Sequence, residues 1–241
     1  MQSIEEKAEQ KPEEAVKLIS LSAPGAQRAL AAKILADIDN YCATKYDDGH
    51  RWHLGSSLMG RDCTRYLWYT FRWCYHKKHD GRQQRLFNRG HLEEHRFIEW
   101  LKGIGCETWN ETEDGKQFRI SGVMGHYGGS LDGILRLPAS YGVDCAAFLN
   151  EFKTSGTGRK FDELCKQGVK IAKYEHYVQM CQYGRQYKFK YAVYMSINKN
   201  DDSLHVEVVE LDWLIGEETE KKAEYIIMSQ TAPKKLSESA A

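Results

Sequence analysis

The sequence predicts an α/β (α+β) fold in which a mixed central β-sheet is flanked by helices. Three observations carry this. Apolar residues recur three and four apart through much of the first hundred residues, which is the helical period. From about residue 117 the pattern changes to short apolar or alternating runs bounded by glycine, which read as strands. A long helical pattern then returns, followed by two further strands and a last helix, the interleaving expected when helices cover a sheet.

Residues 1–22 are largely charged and aperiodic, so a loose arm is expected. After Pro24-Gly25, AQRALAAKILADIDNYCATKY reads as a helix, and Asp47-Asp48-Gly49 marks a loop. In SSLMGRDCTRYLWYTFRWCY (56–75) a serine is expected to cap an aromatic-rich helix. Trp68, Phe71, Trp73 and Tyr75 are expected in the core rather than as a base-stacking platform. A helix over 89–102 is closed by Gly103 and Gly105. QFRISGVMG, GGSLDGILRL and CAAFLNEFKT read as three strands, and 161–187 as a long helix. KYAVYMSIN and LHVEVVEL are strands joined by the turn-forming Asn-Lys-Asn-Asp-Asp, and a helix over roughly 217–229 follows. No linker divides the chain, so one domain over 23–230 with a disordered tail over 231–241 is expected.

Composition narrows the class. With 41% hydrophobic and 28% charged residues the chain reads as soluble and globular. No apolar run approaches the roughly 18–20 residues that span a bilayer, and the acidic, polar start does not resemble a signal peptide, so no membrane partner and a cytoplasmic location are expected. The seven cysteines are odd in number and form no C-x-x-C, which argues for reduced, mostly buried thiols over a disulfide framework or a zinc ribbon. A net charge of zero hides a segregation: basic residues dominate 72–102 and 153–190, acidic ones 201–224. Such a chain can carry a face for a polyanion.

The strongest chemical signal lies in two strands. Asp132 precedes Gly133, and Glu151-Phe152-Lys153 follows in FLNEFKTS. Alternation along a strand sends Leu149, Glu151 and Lys153 to one face, and Phe148, Asn150 and Phe152 to the other. An acid and a lysine side by side in an apolar strand are costly to bury. Asp132 and Glu151 supply hard oxygen ligands for Mg²⁺, with Mn²⁺ as a substitute, and Lys153 is placed to position or help deprotonate a water. That is equipment for phosphodiester hydrolysis. A strand-edge salt bridge would produce the same letters, so the company of this pattern matters.

That company resembles the PD-(D/E)XK nucleases, in particular the RecB-like and phage exonucleases that include lambda exonuclease. The resemblance runs in order from about Ser56 to Asp212. SSLMGRDCTRYLWY looks like the family's opening Ser/Arg helical segment, and Arg89-Gly90-His91-Leu92-Glu93-Glu94 fits its R-G-x-x-x-E helix. Asp132-Gly133 matches the aspartate strand, with Leu131 in place of the proline of the strict pattern, and Glu151 and Lys153 match E-x-K. Gln179 and Tyr183 match Q-x-x-x-Y. The resemblance implies a restriction-endonuclease-like core and metal binding by Glu94, Asp132, Glu151 and the Phe152 carbonyl. It makes Lys153 the catalytic lysine and Gln179 a support for the site or the scissile phosphate. It places Ser57 and Arg65 in a pocket for a terminal phosphate, although Arg65 fits a surface arginine equally well and Tyr183 fits a core tyrosine. It does not extend to an iron–sulfur cluster, because no cysteine follows Cys181 to join Cys63.

The implied activity is 5′-to-3′ exonuclease digestion of linear duplex DNA, with a single-strand annealing protein as partner and a ring-shaped trimer as the assembly that would explain processivity. A structure-specific endonuclease or a single-strand exonuclease fits the same motifs, as does a catalytically idle DNA-binding module. One competing motif is His91-Leu92-Glu93-Glu94-His95, an H-x-x-E-H string of the inverted zinc peptidases. Zinc there would need a third protein ligand, and no downstream candidate stands out. Cys74-x-His76-x-x-His79 lies among lysines and reads as basic surface.

Overall fold

The computed structural model describes residues 20–47, 49–74, 78–144, 147–156 and 158–236. Asp48, Tyr75, His76, Cys145, most of the expected N-terminal arm and the end of the expected tail lie outside them.

Helix α1 (Ala26–Lys45) leads to the two-residue strand β1 (Leu54–Gly55), a 3-10 turn at Ser56–Leu58 and helix α2 (Thr64–Phe71). The expected serine cap is replaced by Cys63, whose sulfur accepts from the Tyr66 N–H at 3.4 Å. Helix α3 (Gly81–Gly103) begins eight residues before its expected start. Asp80 caps it through the Gln83 N–H at 2.7 Å, and an Arg85–Asp39 ion pair ties its first turns to α1. These tertiary supports extend the helix through a stretch with little apolar period.

Strands β2 (Glu107–Trp109), β3 (Arg119–Gly122), β4 (Tyr127–Ser130), β5 (Gly133–Arg136) and β6 (Phe148–Ser155) follow. The expected helix over 161–187 is three: α4 (Gly158–Gln167), α5 (Val169–Ala172) and α6 (Tyr174–Tyr187), broken at Gly168 and Lys173. Strands β7 (Tyr191–Asn198) and β8 (Leu204–Glu210) precede α7 (Trp213–Met228), which Asp212 caps.

The described strands form two sheets. One has the order β1-β4-β3, the other β2-β5-β6-β7-β8. The larger sheet is mixed, with β6 and β7 parallel and its other pairs antiparallel. Helices cover it on both faces. Phe148 and Phe152 of β6 share a core with Phe97 and Leu101 of α3, and the Phe97 and Phe152 rings stack at 5.0 Å. Leu149 shares the opposite core with Tyr177, Met180 and Cys181 of α6 and with Ile226 of α7. The alternation read along β6 therefore separates two cores.

GGSLDGILRL is not one strand. Its halves, β4 and β5, belong to different sheets, and Leu131-Asp132 is the crossover. Gly133 makes the switch with φ +156°, where an added Cβ would come within 3.0 Å of the Trp109 carbonyl oxygen and 3.1 Å of Asn110 Nδ2.

Two other expectations change. Trp68 and Phe71 pack against the core, but Trp73 is 55% exposed. Cys42, Cys106 and Cys181 are buried, whereas Cys74 and Cys165 are exposed. Within the expected tail, Pro233 is buried and its carbonyl accepts from Arg65 at 2.9 Å. Among the described residues no helix is long and apolar enough to cross a membrane.

Gly133→Ala is expected to destabilise the fold by about 1–3 kcal/mol, through backbone strain at the sheet switch. Chemical denaturation reads this as a lower midpoint, and an unchanged midpoint would contradict the role given to this glycine.

Candidate active site

The site is built from β6 outward. Glu151 is fully buried, and Lys153 lies two residues on along the same face. The Lys153 ammonium donates to Glu151 Oε1 and, at 3.1 Å, to the Phe152 carbonyl. Asp132 reaches the same strand from the crossover. Its Oδ2 accepts from the Phe152 N–H at 2.7 Å and lies 3.8 Å from Lys153 Nζ. Asn110 holds the Asp132 carbonyl at 2.8 Å. Asp132, Glu151, Phe152 and Lys153 therefore meet at one point.

Burial dominates the electrostatics. It pushes the Glu151 carboxyl up to about 8, against the pull of Lys153 and with Asp132 and Glu94 adding to the rise. The Asp132 carboxyl also rises through burial, opposed by Lys153 and by the Phe152 N–H. Burial works against the Lys153 charge, but Glu151 and Asp132 outweigh it and hold the ammonium above the ordinary lysine value. Beneath Lys153, burial drives His176 down to about 3, and the charges of Lys153 and Lys173 act in the same direction. Its Nδ1 pairs with the Tyr194 hydroxyl at 2.9 Å, and Tyr194 stands opposite Glu151 in the β6–β7 register.

Helix α6 contributes a buried polar chain. Gln179 donates to the Tyr183 hydroxyl at 3.1 Å, which in turn pairs with Ser56 Oγ at 2.8 Å. Gly129 allows this packing: a Cβ there would sit 1.9 Å from Ser56 Oγ and 2.6 Å from the Tyr183 hydroxyl. Burial raises the Tyr183 pKa, and the Glu151 charge adds to it. Tyr183 is thus a fully buried tyrosine within reach of the site's field.

A cleft of about 1080 Å³ opens beside the cluster, and Glu94, Phe152, Lys153 and Ser57 line it. The two glutamates of α3 part company. Glu93 is buried between Arg96 at 2.7 Å and Arg89 at 3.7 Å, whereas Glu94 faces the cleft. Lys45, Arg51 and Lys199 bring positive charge to the same walls. Arg65 is not among the lining residues. Its guanidinium is engaged by the Pro233 carbonyl and, at 3.0 Å, by the Tyr69 hydroxyl, so its position lends no support to a phosphate pocket.

Asp132, Glu151 and the Phe152 carbonyl offer oxygen donors, which suit a hard divalent cation. Glu151 Oε2 is buried without a hydrogen-bond partner among the described residues, an orphan of the kind a cation would satisfy. Among the described residues, however, no three His, Cys, Asp or Glu side chains converge as a metal-binding group. The expected set of Glu94, Asp132 and Glu151 is therefore not drawn together. Lys153 contacts both inner carboxylates, while Glu94 stands on the cleft wall. His91 lies 3.3 Å from Glu94 Oε1 and lines the same cleft, and both His91 and His95 are exposed. His79 lines the cleft and pairs with Gln83 at 3.0 Å.

Asn110, His176 and Tyr194 escaped the sequence reading. Tyr194 and Asn110 join the site only through strand pairing and crossover geometry, which no local pattern records. His176 left a faint trace, three residues before Gln179 on one helix face. Both polar atoms of the Asn150 side chain are buried without partners among the described residues. The structure offers no physical account of that.

No protein-family model matches the chain, and no curated protein matches it. Solved structures similar to it include SSO0001, at 17% identity and TM-score 0.48 over 85% of this chain and 90% of that one. An alkaline exonuclease from Laribacter hongkongensis is similar at 18% identity and TM-score 0.47, covering 76% of this chain and 90% of its own. The same exonuclease in complex with dAMP gives 13% identity and TM-score 0.49, over 78% and 90%.

The buried His176 makes a testable link to acidity. In the unfolded chain its ordinary value is 6.5, while the folded chain keeps it neutral down to about 3. Above pH 6.5 neither state binds the proton and the group costs nothing. Below it the unfolded state gains a proton that the folded state refuses, so stability falls as pH falls through this window. Between pH 6.5 and 5 the loss amounts to about 2 kcal/mol. His176→Gln can still bond Tyr194 but cannot titrate. Its unfolding free energy should fall by that much less between pH 7 and 5, and an unchanged slope would contradict the assignment.

Proposed function

We propose that this chain is a Mg²⁺-dependent deoxyribonuclease of the PD-(D/E)XK type, an exonuclease that removes nucleotides 5′-to-3′ from linear duplex DNA. The observation that carries the reading is the meeting of Asp132, Glu151 and Lys153 beside a basic-walled cleft. Two buried carboxylates and a lysine have no need of one another for packing, and burying them costs stability. A phosphodiester in the cleft gives each a use.

Asp132, Glu151 and the Phe152 carbonyl would hold the cation, with Glu94 completing the set from the cleft wall. Bound there, the metal would acidify a water and offset charge on the phosphate. Lys153 keeps its proton, which suits it to orient the attacking water and the non-bridging phosphate oxygens rather than to act as base. Gln179, steadied by Tyr183 and Ser56, stiffens the α6 side of the site. Ser57, Arg51 and the cleft's lysines hold the sugar–phosphate backbone. Water adds to phosphorus and gives up a proton to solvent, the P–O ester bond breaks, and the leaving oxygen takes up a proton from solvent.

Digestion of end-labelled linear and circular duplex DNA with Mg²⁺ tests the reading. Loss of nucleotides from the 5′ ends of the linear form, with the circle intact, is the expected result. Nicking of the circle would instead identify an endonuclease, and no hydrolysis of any DNA with any divalent metal would refute the nuclease reading. Lys153→Ala is expected to lower turnover by at least about a hundredfold while DNA binding persists. Near wild-type turnover in that variant would remove Lys153 from the chemistry.

A further inference from the structure

The C-terminal end of α2 contains a residue that its geometry does not favour. The Cys74 N–H bonds the Tyr69 carbonyl at 3.0 Å and the Trp73 N–H bonds the Thr70 carbonyl at 3.2 Å. This double closure ends helices at a left-handed residue, a place usually taken by glycine. Here it is Trp73, with φ +58°. A bulky side chain at positive φ is an outlier, and such outliers concentrate at functional positions. Helix termination alone does not account for this tryptophan.

Packing does not account for it either. The indole is fixed in place: Nε1 donates to the Arg51 carbonyl at 3.0 Å, and the ring stacks on His50 at 5.2 Å with 28° between planes. Even so, Trp73 remains 55% exposed. Trp73, His50 and Arg51 all line the cleft that also reaches Lys153 and Glu94. A rigid, exposed aromatic surface stands beside cationic side chains, in the channel that leads to the carboxylates.

We propose that the His50–Trp73 stack is a platform for one unpaired nucleobase of the strand whose phosphate lies at Lys153. The inference rests on the nuclease reading and deepens it, because it assigns the cleft to a strand that is unpaired at that point. A base within a duplex is covered above and below by its neighbours, whereas an unpaired base can offer its face. Stacking on an aromatic ring tolerates any base, so the platform reads strandedness and not sequence. Arg51 and Lys199, on the same cleft, supply charge for the backbone on either side.

The test compares two labelled single strands of equal length and charge, one with normal bases and one abasic, by fluorescence anisotropy in excess chelator so that neither is cut. The wild-type chain is expected to prefer the base-bearing strand by about tenfold or more. Trp73→Gly suits the left-handed backbone, so it should keep the helix end and the fold. It should bind both strands as the wild type binds the abasic one, and Trp73→Phe should retain most of the preference. A Trp73→Gly variant with the full preference, or a wild type with none, overturns the platform. If the wild type still cuts DNA, the nuclease reading survives that failure. If it neither binds either strand nor cuts any DNA, both proposals fall.

Discussion

Glu151 and Lys153 leave β6 two residues apart on a face that is otherwise core, and Asp132 is fastened to the same strand by the Phe152 N–H. Much of the architecture serves to hold these three charges out of water. The parallel β6–β7 pairing brings Tyr194 opposite Glu151, α6 lays His176, Gln179 and Tyr183 across the same side, and α3 closes the other face through Phe97 on Phe152. This burial raises the cost of ionising Glu151, Asp132 and Glu94 add to it, and Lys153 opposes it. Burial keeps a proton on Glu151 up to about 8, and Glu151 Oε2, without a hydrogen-bond partner among the described residues, marks where a cation would exchange for that proton.

That exchange gives the site its chemical direction. The basic cleft walls suit an anionic polymer, while the buried acids repel one. On the proposed reading a cation would reconcile the two, held by the acids and facing the phosphate. The division of labour on α3 follows the same logic. Glu93 is neutralised by Arg89 and Arg96, which leaves Glu94 as the α3 acid facing the cleft. Trp73 and His50 line this cleft as well, so on the proposed reading the backbone, the base and the scissile phosphate would have separate walls.

The fold class was legible in the sequence because periodicity survives in long elements. β6 and β7 follow the hydrophobic pattern closely, whereas Ile34, Leu35 and Ile38 of α1 and Leu204, Val206 and Val208 of β8 stay exposed. Legibility failed where tertiary contacts set the outcome. The two-residue β1 exists only as a partner of β4, the first turns of α3 depend on Asp80 and on Arg85–Asp39, and the break between β4 and β5 reflects two sheets and not a turn signal. For the site, the face shared by Glu151 and Lys153 could be read from strand alternation alone. The choice of Glu94 over Glu93 came from motif spacing, and the structure turns Glu94 to the cleft. Arg65 shows the limit of that approach: a motif match cannot know that the Pro233 carbonyl has already engaged the guanidinium. Trp73 was placed in the core because tryptophan usually is, and no sequence pattern reveals an unfavourable backbone angle that holds it outward.

On the proposed reading, Asp132 and Glu151 are the seat of a divalent cation. Titration calorimetry of Mn²⁺ into the wild-type chain and into Asp132→Asn at neutral pH tests it most directly. The account predicts saturable binding by the wild type that weakens by at least about tenfold in the variant, which still folds. Absence of binding by the wild type, or equal binding by both, would contradict it.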